Sequence, residues 1–201
     1  MVKRLLGAFG VVLLAAAATA AQASPVTTAT ESLSVNGNVT LVFIGSDAGD
    51  TSYLSLVDGP SNIFCNHSTP TCTAAVTGDA VDLGTLFGDL NFTLSDISVP
   101  HVYKTSGADS DGYYYAKVVS NYNDLGIFSM PKSASDVIAS FTTPTSVIKY
   151  VAFEDRVGGD YDYNDFVIAV IDPPVGAVPE PATLALFGAG LLGFARKRRR
   201  S

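Results

Sequence analysis

Positive charge is scarce away from the chain ends. Of twelve Lys and Arg residues, seven sit at Lys3, Arg4 and Arg196 to Arg200, which leaves Lys104, Lys117, Lys132, Lys149 and Arg156 for everything between. The segment from Ser24 to Ala177 sets those five bases against eighteen acids, a net charge of −13. A domain of that sign does not bind a nucleic acid backbone, and it attracts cations. Imidazole is scarcer still, with only His67 and His101. Neither stands in a catalytic frame, and the chain has no G-x-S-x-G elbow, H-E-x-x-H helix or phosphate-cradling loop. Paired carboxylates of a glycosidase depend on separation in the fold, so that route stays open; the expectation is nonetheless a protein that is not an enzyme. No repeat of fixed period occurs, which disfavours solenoids and propellers.

Thiols are limited to Cys65 and Cys72, separated by Asn66-His67-Ser68-Thr69-Pro70-Thr71. In an exported chain two such residues pair as a disulfide around a turn that Pro70 favours. Zinc, with His67 between the thiols, would need a fourth ligand that this segment lacks.

Both ends read as targeting segments. Lys3 and Arg4, the apolar run Leu5 to Ala20 and the Ala21-Gln22-Ala23 site make residues 1–23 a signal peptide, implying the Sec translocon and signal peptidase as partners. The other end has three parts in order: Val178-Pro179-Glu180-Pro181, an apolar run from Ala182 to Ala195, and the basic block Arg196-Lys197-Arg198-Arg199-Arg200. The prolines keep their backbone extended, a shape a processing enzyme can grip. The apolar run, broken by Gly188, Gly190 and Gly193, would measure about 21 Å as a helix against a hydrocarbon core of about 30 Å. That is short for a permanent span. The basic block would hold the C-terminus in the cytoplasm and leave the body on the far side.

Residues 178–201 thereby resemble the PEP-CTERM sorting signal of Gram-negative bacteria. The resemblance implies transient anchoring in the inner membrane, removal of the tail by an exosortase, and delivery to the cell surface or extracellular matrix of a biofilm. Residues 173–177 then read as an extended linker, since Pro173-Pro174 denies a preceding strand further ladder bonds.

The body, residues 24–172, reads as β. Leu33 and Val35, then Asn36-Gly37, then Val39, Leu41 and Phe43 predict a hairpin with a tight primed turn. Further strands are expected over Thr51 to Val57, Thr85 to Leu94, Ile97 to Tyr103, Tyr113 to Val119, Val147 to Phe153 and Phe166 to Ile171. One short helix is expected over Ser133 to Phe141, capped by Ser133 or Ser135, with Val137, Ile138 and Phe141 on one side. Many short strands between loops of Gly, Asp, Ser and Asn predict an all-β antiparallel sandwich or jelly roll.

Its most distinctive stretch is Phe153 to Val167. Glu154, Asp155, Asp160, Asp162, Asn164 and Asp165 offer carboxylate or amide oxygens there, with Arg156 alone opposing them. Asp160, Asp162 and Asn164 fill the first, third and fifth positions of an EF-hand loop, but Asp165 stands where that loop needs Gly and Ile171 where it needs Glu. It is no EF-hand. A Gly158-Gly159 turn that folds Glu154 and Asp155 back over Asp160 and Asp162 would still approach the roughly six to eight oxygens of a Ca²⁺ site. The alternative is a solvated acidic hairpin loop whose Asp and Asn side chains bond the turn backbone.

The pattern F-E-D, glycines, D-x-D-Y-N-D and an apolar pair also resembles an uncharacterised domain family of bacterial surface and exported proteins. That resemblance implies an extracellular β domain and, through these acids, calcium. Two functional classes follow. One is a structural or adhesive matrix protein rigidified by calcium. The other is a carbohydrate-binding module for extracellular polysaccharide, with Tyr113 and Tyr115 as stacking platforms.

Overall fold

Nine strands, one α-helix and one 3-10 turn make up the computed structural model, which describes residues 25–28 and 30–173. The segments expected to be a signal peptide (1–23) and a linker beyond Pro173, and the sorting segment with Val178, Pro179, Glu180 and Pro181, lie outside the described residues. The strands are β1 (Ser34–Gly45), β2 (Ser52–Leu56), β3 (Phe64–Cys65), β4 (Ala80–Asp89), β5 (Phe92–Asp96), β6 (His101–Lys104), β7 (Ala116–Val119), β8 (Val147–Phe153) and β9 (Phe166–Asp172). The 3-10 turn (Tyr122–Leu125) and helix α1 (Lys132–Phe141) come between β7 and β8.

These form two antiparallel sheets, one ordered β4-β1-β9-β8-β7 and the other β3-β2-β5-β6. Alternate residues of facing strands fill the space between them: Leu41 and Phe43 of β1, Leu54 of β2, Phe92 and Leu94 of β5, Val151 and Phe153 of β8, Phe166 and Ile168 of β9. The expected sandwich is therefore present. It carries a third layer, because the outer face of the larger sheet is also covered. Val42, Ile44, Ala152, Val167, Ala169 and Ile171 pack there against Ala134 and Ile138 of α1 and against Tyr122, Leu125 and Tyr163. Covered on both faces, β9 is buried along its whole length, which is why Phe166 to Ile171 is an unbroken apolar run.

Three expectations are corrected. Asn36-Gly37 makes no turn: both residues lie inside the continuous strand β1, paired with Phe87 and Leu86 of β4. The glycine is needed for space. A Cβ at Gly37 would overlap the Pro173 carbonyl oxygen and lie 2.6 Å from Asp172 Oδ1, while the Asn36 N–H donates to Asp172 Oδ2 at 2.8 Å. Gly37→Ala is accordingly expected to cost about 1–3 kcal/mol through overpacking against backbone, read as a lowered Tm in a thermal melt.

The helix begins at Lys132 with Pro131 at the N-cap and no side-chain cap, so neither Ser133 nor Ser135 serves that role. Its buried residues are Ala134 and Ile138, and Phe141 is exposed. The third correction concerns Ile97 to Tyr103 and Tyr113 to Val119. Their strands are confined to His101–Lys104 and Ala116–Val119. Tyr113 to Tyr115 approach β7 through the bonds Tyr114 N–H to Val26 O and Glu154 N–H to Tyr115 O.

Cys65 and Cys72 form a disulfide, which closes the loop between β3 and the following turn. Among the described residues no helix is long and apolar enough to cross a membrane.

Candidate metal centre

Chain direction at the end of β8 decides the site. Strand β8 ends at Phe153, which points into the space between the sheets, and Glu154 and Asp155 follow it directly. The Glu154 N–H donates to the Tyr115 carbonyl at 3.0 Å. Its side chain is 1% exposed, and its Oε2 is buried with no hydrogen-bond partner.

The chain then turns through Gly158 (φ 72°) and Gly159, and the Gly159 N–H donates back to the Arg156 carbonyl at 3.2 Å. This turn lies over the Glu154 carboxyl group, so closely that a Cβ at Gly159 would overlap Glu154 Oε1. Asp160 and Asp162 follow. One carboxylate oxygen from each and one from Glu154 lie within 4.8 Å of one another.

Two tyrosines hold this loop in an unusual conformation. Tyr161 and Tyr163 have φ of 57° and 58°, a left-handed backbone that costs a bulky residue on the order of 1–3 kcal/mol. Tyr163 is fully buried; its hydroxyl donates to the Tyr114 carbonyl at 2.6 Å and accepts from the Val26 N–H at 3.0 Å. The Tyr161 ring lies 6.0 Å from that of Tyr113 and 6.1 Å from that of Tyr115. With both rings anchored, the residues between and before them, Asp160 and Asp162, are left to face Glu154.

The electrostatics are unfavourable as they stand. Burial first, and then the charges of Asp165, Asp160, Asp162 and Asp155, push the Glu154 carboxyl up to about 8. Asp162 is also raised, chiefly by burial. Among the described residues no Lys, Arg or His lies within ion-pair distance of Glu154, Asp160 or Asp162. Lys117 Nζ sits 4.1 Å over the Tyr163 ring, half-buried and with its own pKa lowered by burial.

Of the six oxygen-bearing residues singled out in the sequence, the fold brings three to one point. Asn164 stands behind them, donating from its backbone at 3.2 Å and its side-chain amide at 2.5 Å to Asp162. Asp165 accepts the Asp155 N–H at 2.9 Å and fastens the loop's exit to its entrance. Asp155 points towards the smaller sheet, 4% exposed and with its Oδ2 3.5 Å from Ser52 Oγ. It is not a member of the Glu154 group.

The proposed stacking pair is corrected as well. Tyr115 is 2% exposed, its ring 5.1 Å from Tyr103 and its hydroxyl bonded to Asp111 at 2.5 Å, so it offers no face to a sugar. Tyr113 is half-buried against Tyr161. Sequence reasoning missed Gly159 as the cover of Glu154 and Tyr161 and Tyr163 as the loop's anchors. The alternation of Asp and Tyr from Asp160 to Tyr163 was the available signal for the anchors.

Fold and site together define an antiparallel β-sandwich with an uncompensated carboxylate cluster at one end of its larger sheet. Comparison with known families adds the route: residues 177–200 match the PEP-CTERM protein-sorting motif, and the chain carries that motif. It marks a secreted protein, anchored in the membrane before exosortase processing. No curated protein matches the chain.

Proposed function

We propose that the exported domain is a calcium-stabilised β-sandwich with a structural or adhesive, non-catalytic role at the cell surface or in the extracellular matrix. One observation carries the reading: a Glu154 carboxylate taken wholly out of water, with a bare oxygen, faces two further carboxylates and no base. Burying such a group uncompensated is costly, and a bound cation removes the cost. The donors are all oxygen, which suits a hard cation and not zinc. Glu154, Asp160 and Asp162 supply three carboxylates, and Asp160 is exposed enough for water to complete the roughly six to eight ligands that Ca²⁺ takes.

Calorimetric titration of the full chain with Ca²⁺ tests this. Binding is expected in wild type, weakened at least about tenfold in the double variant Asp160→Asn, Asp162→Asn, by loss of ligand charge. Wild-type protein that takes up no Ca²⁺ would overturn the reading. Gly159→Ala should give a comparable loss although it removes no ligand. Its added Cβ would take the place of Glu154 Oε1 and displace that carboxylate from the centre.

A further inference from the structure

The inner rows of three strands change character at the same end of the sandwich. On β8 the row runs Val151, Phe153 and then Asp155; on β5 it runs Phe92, Leu94, Asp96; on β2 it runs Leu56, Leu54, Ser52. The register aligns the last two rows residue for residue, with Leu56 opposite Phe92, Leu54 opposite Leu94 and Ser52 opposite Asp96. The third row reaches them across the gap between the sheets, where Ser52 Oγ lies 3.5 Å from Asp155 Oδ2.

None of the three is open to solvent. Ser52 is 0% exposed, Asp96 3% and Asp155 4%. Asp96 Oδ1 accepts from the Ser98 N–H at 2.7 Å and the Val99 N–H at 3.2 Å, whereas Asp96 Oδ2 is buried without a partner. Two bases lie nearby, and each has another acid: Arg156 pairs with Asp50 at 2.6 Å and keeps 59% of its side chain exposed, and His101, opposite Asp96 in the β5–β6 register, pairs with Asp109. Ser52 is the link between the two acids, opposite Asp96 in the β2–β5 register and 3.5 Å from Asp155 Oδ2.

We propose that Asp96, Asp155 and Ser52 form a second site for a hard divalent cation, Ca²⁺, between the two sheets. Two buried carboxylates and a hydroxyl supply hard oxygen donors, and the unpartnered Asp96 Oδ2 is the ligand left free for the ion. The site shares no ligand with the Glu154 cluster. An ion there would join β5 of one sheet to the end of β8 in the other, a cross-link that the apolar core does not provide.

The test is a Ca²⁺ titration of the full chain with Asp96→Asn, which keeps an acceptor for the Ser98 and Val99 N–H groups while removing the charge. Wild type is expected to bind about two ions per chain and Asp96→Asn about one, at an affinity matching the Glu154 centre. Ser52→Ala, which spares both acids, should weaken the same site several-fold. In the Asp160→Asn, Asp162→Asn background the second site should persist, and Tb³⁺ should report it through emission sensitised by tyrosine, since the chain has no Trp. Ion uptake unchanged by Asp96→Asn, or Tb³⁺ emission indifferent to it, overturns this second site and leaves the first standing. Loss of binding confined to the Asp96 variants would overturn the first and leave the second.

Discussion

Chelation of calcium at pH 8 is expected to lower the Tm of this protein by about 5–10 °C. A ligand held at a hundred times its Kd stabilises the folded state by about 2.7 kcal/mol, and in a domain of this size each kcal/mol moves Tm by about 2–4 °C. The size of the gap should depend on pH, because protons and calcium compete for the same carboxylates. Without the ion, Glu154 is raised from an ordinary 4.5 to about 8 and Asp155 from 3.8 to about 7, each chiefly by burial. An acid whose folded pKa is raised binds its proton more tightly when folded. The stability linked to that proton is complete below the unfolded pKa and is lost as pH rises through the folded one.

The chelated protein should therefore lose stability steadily between about pH 4 and pH 8, the window set by those values. Calcium, which neutralises the ionised carboxylates, should hold the melt nearly flat across it. The two curves converge near pH 5 and separate towards pH 8. Melts recorded with chelator and with excess Ca²⁺ at both ends of the range check this, and curves that coincide at pH 8 would sink the calcium reading.

How far the fold could be read from the sequence depended on whether the signal was local. Strand β8 has the bounds its alternation suggests, Val147–Phe153, and β9 was plain because both of its faces are covered by apolar layers. Asn36-Gly37 misled because a glycine that supplies room and a glycine that supplies positive φ look alike in one dimension. Here the decisive neighbours are Asp172 and Pro173, at the far end of the domain. The acidic loop was legible as a ligand-rich stretch, since its members are contiguous. Its division was not: Glu154 meets Asp160 and Asp162, whereas Asp155 meets Ser52 of the other sheet. Asp96 and Ser52 carried no signal at all: they meet Asp155 only through the β2–β5 register and the stacking of two sheets, 103 residues apart in the case of Ser52. Tyr115 looked like one of a row of surface aromatics, and only the packing of Tyr103 and Tyr161 around it makes it core.

Replacing Pro179 and Pro181 by Ala is expected to leave the chain at full length and in the membrane fraction, with processed product falling from nearly all to nearly none. The two prolines flank Glu180 within the matched motif. Proline fixes its own φ and disfavours helix at the residue before it, the chemistry expected of a segment gripped in extended form. Alanine has the highest helix propensity, and it would let the helix of the run from Ala182 grow back through this point. Four added residues, 178–181, would lengthen that helix by about 6 Å, from about 21 Å towards the roughly 30 Å of the hydrocarbon core. The substitution would thus disfavour an extended recognition segment and favour a longer span, two expected effects of the same sign. The basic block from Arg196 to Arg200 is untouched by the substitution. Mass spectrometry of the secreted and membrane fractions distinguishes the outcomes, since processing removes a tail of known composition. A variant cut and released as efficiently as wild type would show that the proline frame is not what the protease reads. The anchored form should still bind calcium, because the centre at Glu154, Asp160 and Asp162 is built by β8 and the loop before β9 and owes nothing to the tail.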